Sequence, residues 1–228
     1  MSALDALRGG LVVSVQAPPG SPLRAPEHMA AVARAAEAGG AVAIRAAGAA
    51  DVAAIRAAVG LPLVGLHKRH APEGVRITPT LEDARAVAEA GADVVAVDAT
   101  LRPRADGRAT AEFLDELGRE LDVPVLADVD DLASGQAAAA AGVAAVATTL
   151  AGYTGGPVPA APDLELVAAL DAAVGVPVVA EGRYASPQHV RDAFLAGAHA
   201  VVVGTAITDP MALTRRLAGA TPAGGPPA

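Results

Sequence analysis

The sequence predicts a closed (β/α)8 barrel, an α/β fold with a quasi-fourfold βαβα repeat. Three observations carry that expectation: two short phrases alternate along the chain, the strands they announce are apolar on both faces, and each strand ends in a polar residue or glycine. The first phrase is an Ala-Gly step into β-branched residues: AEAGGAVAIR (36–45), AEAGADVVAVD (88–98), AAAGVAAVATT (139–149) and FLAGAHAVVVG (194–204). Its glycines at 39, 91, 142 and 197 stand 52, 51 and 55 residues apart. The second is a proline phrase: LPLVGL (61–66), VPVLAD (123–128) and VPVVAE (176–181).

Each phrase has a physical reading. In the first, a helix ends at a glycine suited to the left-handed position past its C-terminus, and a buried strand follows. In the second, proline opens a strand, where its missing N–H costs least. Strands are expected near 11–15, 41–45, 62–66, 93–97, 123–127, 144–147, 176–180 and 200–203. They are continuous Val/Ile/Leu/Ala runs, the pattern of a parallel sheet covered on both faces. Ala-rich helical stretches lie between them, 26–38, 81–89, 110–119 and 162–173 among them. Eight strands with eight following helices close into a barrel with no edge left over. The rival, an open doubly wound sheet, lacks a GxGxxG after the first strand. Residues 1–217 are expected to form one catalytic barrel domain, and AGATPAGGPPA (218–228) a disordered tail.

Composition narrows the function. The 228 residues hold 17 Lys and Arg against 25 Asp and Glu, a net charge of −8 that argues against nucleic acid or an anionic membrane as partner. Two Tyr, two Phe and no Trp give no platform for stacking bases. The absence of cysteine removes disulfides, thiolate metal sites, iron–sulfur clusters and a Cys nucleophile together. The opening MSALDALRGG lacks the pattern of a signal peptide. The long uncharged run between Asp131 and Asp163 carries Ser134, Gln136, Thr148, Thr149 and three prolines, a poor membrane span. A cytoplasmic protein is expected.

In such barrels the active site lies at the C-terminal ends of the strands. The residues arriving there are Gln16, Arg45, Lys68 with Arg69, Asp98, Asp128, Thr148 and Thr149, Glu181-Gly182-Arg183 and Gly204-Thr205. Gly182, Arg183, Gly204 and Thr205, after strands seven and eight, read as a phosphate cup in which backbone N–H groups approach an anion. Lys68 is the candidate base or Schiff-base amine. Acting as a base near neutrality requires its pKa to fall by roughly three units, about 4 kcal/mol. Burial at the mouth, with Arg45 and Arg69 nearby, acts in that direction. Glu181 either orients the lysine and exchanges protons, or forms an ion pair with Arg183. Arg45 either holds a substrate oxygen or pairs with Asp98. The Gln16 amide suits sugar hydroxyls. His67 and His70 have a spacing poorly suited to a metal, and no metal site is expected.

These residues resemble the N-acetylmannosamine-6-phosphate 2-epimerases of bacterial amino-sugar and sialic acid breakdown. The resemblance runs from about residue 9 to residue 208 and rests on GGLVVSVQ (9–16), AVAIR (41–45), LVGLHKR (63–69), ITPT (77–80), Asp98 with Arg102-Pro103-Arg104, TTLAGYT (148–154), VVAEGRY (178–184) and VVVGTAIT (201–208). It implies a cofactor-free enzyme acting on a phosphosugar. Lys68 would be the catalytic lysine and Glu181 its carboxylate partner, with Gln16, Arg45 and Asp128 on the sugar and Tyr153 among the substrate-binding positions. A homodimer is a further expectation. The chain departs from the family's usual pattern at three places. Val129, Asp130 and Asp131 follow Asp128 where D-x-S-T is usual, Ala151 replaces a serine, and Asp209 stands where an arginine usually follows A-I-T. Other chemistries open to the same residues are a Schiff-base aldolase through Lys68, another sugar-phosphate isomerase, or a non-catalytic phosphosugar-binding barrel.

Overall fold

The structure, a computed structural model, describes residues 2–69 and 74–222. Eight parallel strands close in chain order: β1 (Leu11–Val15), β2 (Ala43–Ala47), β3 (Leu63–Leu66), β4 (Val94–Asp98), β5 (Val125–Asp128), β6 (Ala145–Ala147), β7 (Val178–Glu181) and β8 (Ala200–Val203). Around them lie α1 (Pro26–Ala38), α2 (Ala49–Arg56), α3 (Leu81–Glu89), α4 (Thr110–Glu120), α5 (Leu132–Ala140), α6 (Leu164–Ala173) and α7 (Pro187–Leu195). The expected (β/α)8 barrel is therefore the observed fold.

Three local expectations are corrected. The prolines stand one residue ahead of their strands. Pro62, Pro124 and Pro177 join the ladder through their carbonyls alone, accepting the N–H groups of Ile44, Val95 and Val146 at 3.0 Å each. In α1 the left-handed residue is Gly40 (φ +95°), because Gly39 still has helical dihedrals and donates its N–H to Ala35. The true left-handed set is thus 40, 91, 142 and 197, a position where a Cβ would be strained. After β8 there are two helices, α8 (Thr205–Thr208) and α9 (Pro210–Ala218), instead of one. Asp209 between them precedes Pro210 and takes an extended φ of −116° and ψ of 82°, as the proline ring demands of the residue before it. Of the segment expected to be disordered, Ala218 closes α9 and 219–222 continue its final turns, while 223–228 lie outside the described residues.

Side-chain alternation along each strand positions the site. Outward residues pack against the helices, for example Val97 with Phe113 and Leu117, and Ile44 with Met29 and Ile55. Inward residues fill the barrel, closed at its N-terminal end by Leu4 and Leu7 around a short 3-10 turn (Asp5–Leu7). Each inward column is apolar below and polar or glycine above: Val12, Ser14, Gln16; Ala43, Arg45; Val64, Leu66, Lys68; Val94, Ala96, Asp98; Leu126, Asp128; Ala145, Ala147, Thr149; Val179, Glu181; Ala200, Val202, Gly204. The polar residues therefore share one face of the sheet and gather at one mouth. No helix among the described residues is long and apolar enough to cross a membrane.

Candidate active site

Arg45 is the centre of the mouth. Only 1% exposed, it reaches from β2 to β5 and forms a fork with Asp128, Nη1 to Oδ1 at 3.1 Å and Nη2 to Oδ2 at 2.6 Å. Its Nη1 also lies 3.1 Å from Glu181 Oε2 on β7. Burial opposes the charge on the guanidinium, but Asp128 and Glu181 outweigh it and push the pKa up, so Arg45 stays cationic. Arg45 thus pairs with Asp128 and Glu181, not with Asp98. Asp98 is bound instead by Arg102 (2.6 Å) and Thr100 (2.7 Å) on its own loop.

Glu181 is joined to β6 as well as to Arg45. Thr149 Oγ1 is 2.6 Å from Asp128 Oδ1 and 3.1 Å from Glu181 Oε2, while Thr148 Oγ1 donates to the Glu181 carbonyl at 2.9 Å and accepts its N–H at 3.0 Å. Burial raises the Glu181 pKa and Asp128 adds to the rise, while Arg45, Thr149 as a hydrogen-bond donor and Lys68 act against it. Sequence reading placed Thr149 at a strand end without a role; its inward parity with Ala145 and Ala147 was the available signal.

Lys68 keeps solvent access through the open mouth, yet protein surrounds its stem. Burial first, then Arg45, lowers its pKa; Glu181 and Asp128 oppose the shift. Arg69 takes no part. Its guanidinium forks onto Asp83 at the start of α3, at 2.8 and 2.9 Å, and so pins the loop's return. The backbone at Lys68 bridges Ile77 in antiparallel fashion. Next to that bridge, Thr78 is fully buried with φ +46°, a conformation costly for a β-branched residue. Its hydroxyl accepts the His67 N–H (3.0 Å) and donates to the Ala96 carbonyl of β4 (2.6 Å), and its own N–H donates to the His67 carbonyl (2.6 Å). Sequence reading gave Thr78 no role beyond its place in ITPT. His70 lies outside the described residues.

The other expected residues line the rim. Gly182 has φ +109°, and a Cβ there would come within 3.9 Å of Tyr153. Arg183 does not pair with Glu181. It donates to the carbonyls of Ala161 (2.6 Å) and Ala151 (2.5 Å), with its guanidinium 5.3 Å from the Tyr153 ring centre, and thereby holds the β6–α6 loop. Tyr153 is 49% exposed. Gln16 donates to Ser14 Oγ at 2.8 Å, and Gly204 packs against Ser14, since a Cβ there would meet the Ser14 Cβ at 3.3 Å. Thr205 opens α8 and is exposed. Asp209 faces α9, accepting the Ala212 N–H at 2.9 Å as its N-cap. Two buried polar atoms at the mouth, Gln16 Oε1 and Arg45 Nε, have no partner among the described residues. Among those residues no group of three or more His, Asp or Glu side chains is arranged to hold a metal ion.

The barrel and the charged mouth define a (β/α)8 enzyme. Residues 29–223 match the NanE family, described as "Putative N-acetylmannosamine-6-phosphate epimerase". A relative from Cutibacterium acnes, described as "Putative N-acetylmannosamine-6-phosphate 2-epimerase", is 53% identical over 214 residues, covering 92% of this chain and 93% of its own length. Another, from Caldanaerobacter subterraneus subsp. tengcongensis, is 45% identical over 219 residues, covering 95% and 92%. The solved structure of the N-acetylmannosamine-6-phosphate 2-epimerase from Clostridium perfringens superposes with a TM-score of 0.90 at 35% identity, covering 95% of each chain. The chain belongs to the NanE family of carbohydrate epimerases.

Proposed function

We propose that the chain interconverts N-acetylmannosamine 6-phosphate and N-acetylglucosamine 6-phosphate by removing and returning the proton at C2. The observation that carries this reading is the buried Arg45–Asp128–Glu181 network beneath Lys68. A C2–H bond in the closed sugar ring is unactivated. Opening the ring exposes a C1 aldehyde, whose carbonyl accepts the electron pair left when C2 loses its proton. Neutral Lys68 takes that proton, and its lowered pKa favours the neutral amine. The charge moves to O1 as an enolate oxyanion, and Arg45, held cationic, stabilises it. Return of a proton to the other face of C2 completes the inversion, with Glu181 as the carboxyl that supplies it.

Gln16, Asp128 and Tyr153 bind the sugar in this reading. Gln16 Oε1 and Arg45 Nε, otherwise without partners among the described residues, take the substrate's hydroxyl and carbonyl groups. Backbone N–H groups at Gly182, Gly204 and Thr205 cradle the phosphate. Arg183 supports that cradle by fixing the neighbouring loop. A homodimer fits the apolar residues that α8 and α9 leave exposed, Ile207, Met211 and Leu217.

Incubation with N-acetylmannosamine 6-phosphate in deuterium oxide, followed by NMR, tests the reading. Deuterated N-acetylglucosamine 6-phosphate at C2 is the expected product. Absence of both exchange and conversion by the folded protein overturns it, and a reduced Lys68 adduct after borohydride treatment with substrate would favour a Schiff-base aldolase.

A further inference from the structure

The inference concerns Thr149 and rests on the proposed roles of Lys68 and Glu181. The Thr149 hydroxyl touches two carboxyl groups, Asp128 Oδ1 at 2.6 Å and Glu181 Oε2 at 3.1 Å. A hydroxyl carries one proton and two lone pairs, so it donates once and otherwise accepts. If both carboxyls were ionised, one of these contacts would set oxygen against oxygen with no proton between them. A single proton shared between two carboxylates would serve each weakly; both contacts are full hydrogen bonds when one carboxyl is protonated and donates to Oγ1.

The rest of the network decides which one. Asp128 accepts both prongs of the Arg45 fork, whereas Glu181 has a single contact with the same guanidinium. Bidentate pairing favours the ionised partner. The shorter contact, to Asp128, is where an ionised acceptor would draw the Thr149 proton. We propose that Thr149 is a positioning residue that donates to Asp128 and accepts from Glu181, so that Glu181 rests as the neutral acid.

Burial of Glu181 and its proximity to Asp128 push its pKa in the same direction and outweigh the opposing pull of Arg45 and Lys68. A Thr149 donating to Glu181 would lower that pKa, but its one proton is committed to the 2.6 Å contact. Removing the hydroxyl therefore takes away an acceptor for the neutral acid and should make Glu181 easier to ionise.

The test compares wild type, Thr149→Val, Thr149→Ser and Lys68→Ala in kcat, KM and the pH profile of kcat/KM with N-acetylmannosamine 6-phosphate, with melting checked for each. The expected result for Thr149→Val is a kcat at least about tenfold lower, part of the roughly 10²–10⁴-fold that a positioned acid–base group supplies. KM stays within about twofold, since the hydroxyl acts through Glu181 rather than on the ground state. One limb of the profile moves to lower pH, and Thr149→Ser restores both kcat and the limb. A folded Thr149→Val with wild-type kcat, a limb that stays or moves to higher pH, or a folded Ser variant that fails to rescue overturns the inference. If Val does not fold, Thr149→Ala is read by the same criteria. Full turnover in Lys68→Ala would overturn the lysine reading itself, whereas an inactive Lys68→Ala beside a wild-type-like Thr149→Val overturns the Thr149 inference alone.

Discussion

Arg45 and Asp128, three strands apart around the barrel, close across its mouth through a fork of 2.6 and 3.1 Å with both side chains essentially excluded from water. Charges so placed are costly to bury and stable only as a set, because each depends on the other for the hydration it has lost.

Asp128→Ala should therefore destabilise the fold by about 3–5 kcal/mol, the usual cost of leaving one member of a buried pair behind. The urea midpoint should drop with little change in slope. A loss below about 1 kcal/mol would mean that Glu181 alone neutralises Arg45.

Lys68 should behave differently, since it is exposed and lies outside the buried core. Lys68→Ala should abolish C2 exchange and leave the melting temperature unchanged. In the wild type, kcat/KM should fall on the limb where Glu181 ionises and climb about tenfold per pH unit on the limb where the amine loses its proton. That limb should lie below the ordinary lysine value of about 10.4, because burial and Arg45 depress it. A limb at the ordinary value would remove Lys68 as the base.

Glu181 links stability to pH. Its pKa is raised in the fold, so its contribution to stability is fully present below the unfolded value of about 4.3 and is lost as pH rises through the folded one. Glu181→Gln, neutral at every pH, should melt no lower than wild type near neutrality, with the two curves converging in acid. Turnover should fall by at least about 10²-fold. Thermal melts across pH, paired with kcat, check both halves.

Asp209 should act on stability alone. Asp209→Arg removes the acceptor for the Ala212 N–H and should cost about 0.5–2 kcal/mol, whereas Asp209→Asn should restore most of it. KM for the 6-phosphate should not move. A lower KM in the Arg variant would show that the side chain reaches the phosphate.

Thr78→Val deletes the hydroxyl that joins the His67 N–H to the Ala96 carbonyl, leaving two buried groups without it at a cost of about 1–3 kcal/mol. Because the break adjoins the Lys68–Ile77 bridge, kcat should fall beyond what stability explains. Thr78→Ser should recover both measured quantities.

The repeat and the apolar strands made the barrel legible, and the polar strand ends singled out Gln16, Arg45, Lys68, Asp128, Glu181 and Gly204, whose shared inward parity emerges only once the strand bounds are fixed. Pairing was less legible. A strand-end Arg can fork onto any carboxylate within reach, and sequence does not encode that Arg45 spans to β5 while Asp98 turns to Arg102. Loop residues were hardest. Arg183 looked like an anion ligand and instead binds carbonyls, Arg69 looked like a neighbour of Lys68 and binds Asp83, and the dihedral of Thr78 has no signature in its residue type. The glycine pair at 39 and 40 left the helix end uncertain by one residue, since either glycine tolerates the left-handed region.

The seam between β1 and β8 bears on how the chain comes together as it is made. The outer edge of the first strand is satisfied only by the last: Gly9 donates to His199 at 2.8 Å, Val201 donates to Gly10 at 3.2 Å, and Val12 stands opposite Val202. Arg45 precedes Asp128 by 83 residues. At ribosomal rates of about 5–20 residues per second, its charge therefore remains hydrated for roughly 4–17 s before its partner exists. Until β8 emerges, the outer edge of β1 lacks its partner, and an unpaired strand edge is prone to pairing with a neighbour. The seam can be sealed only once β8 has been made, and the same strand carries Gly204 to the rim of the mouth.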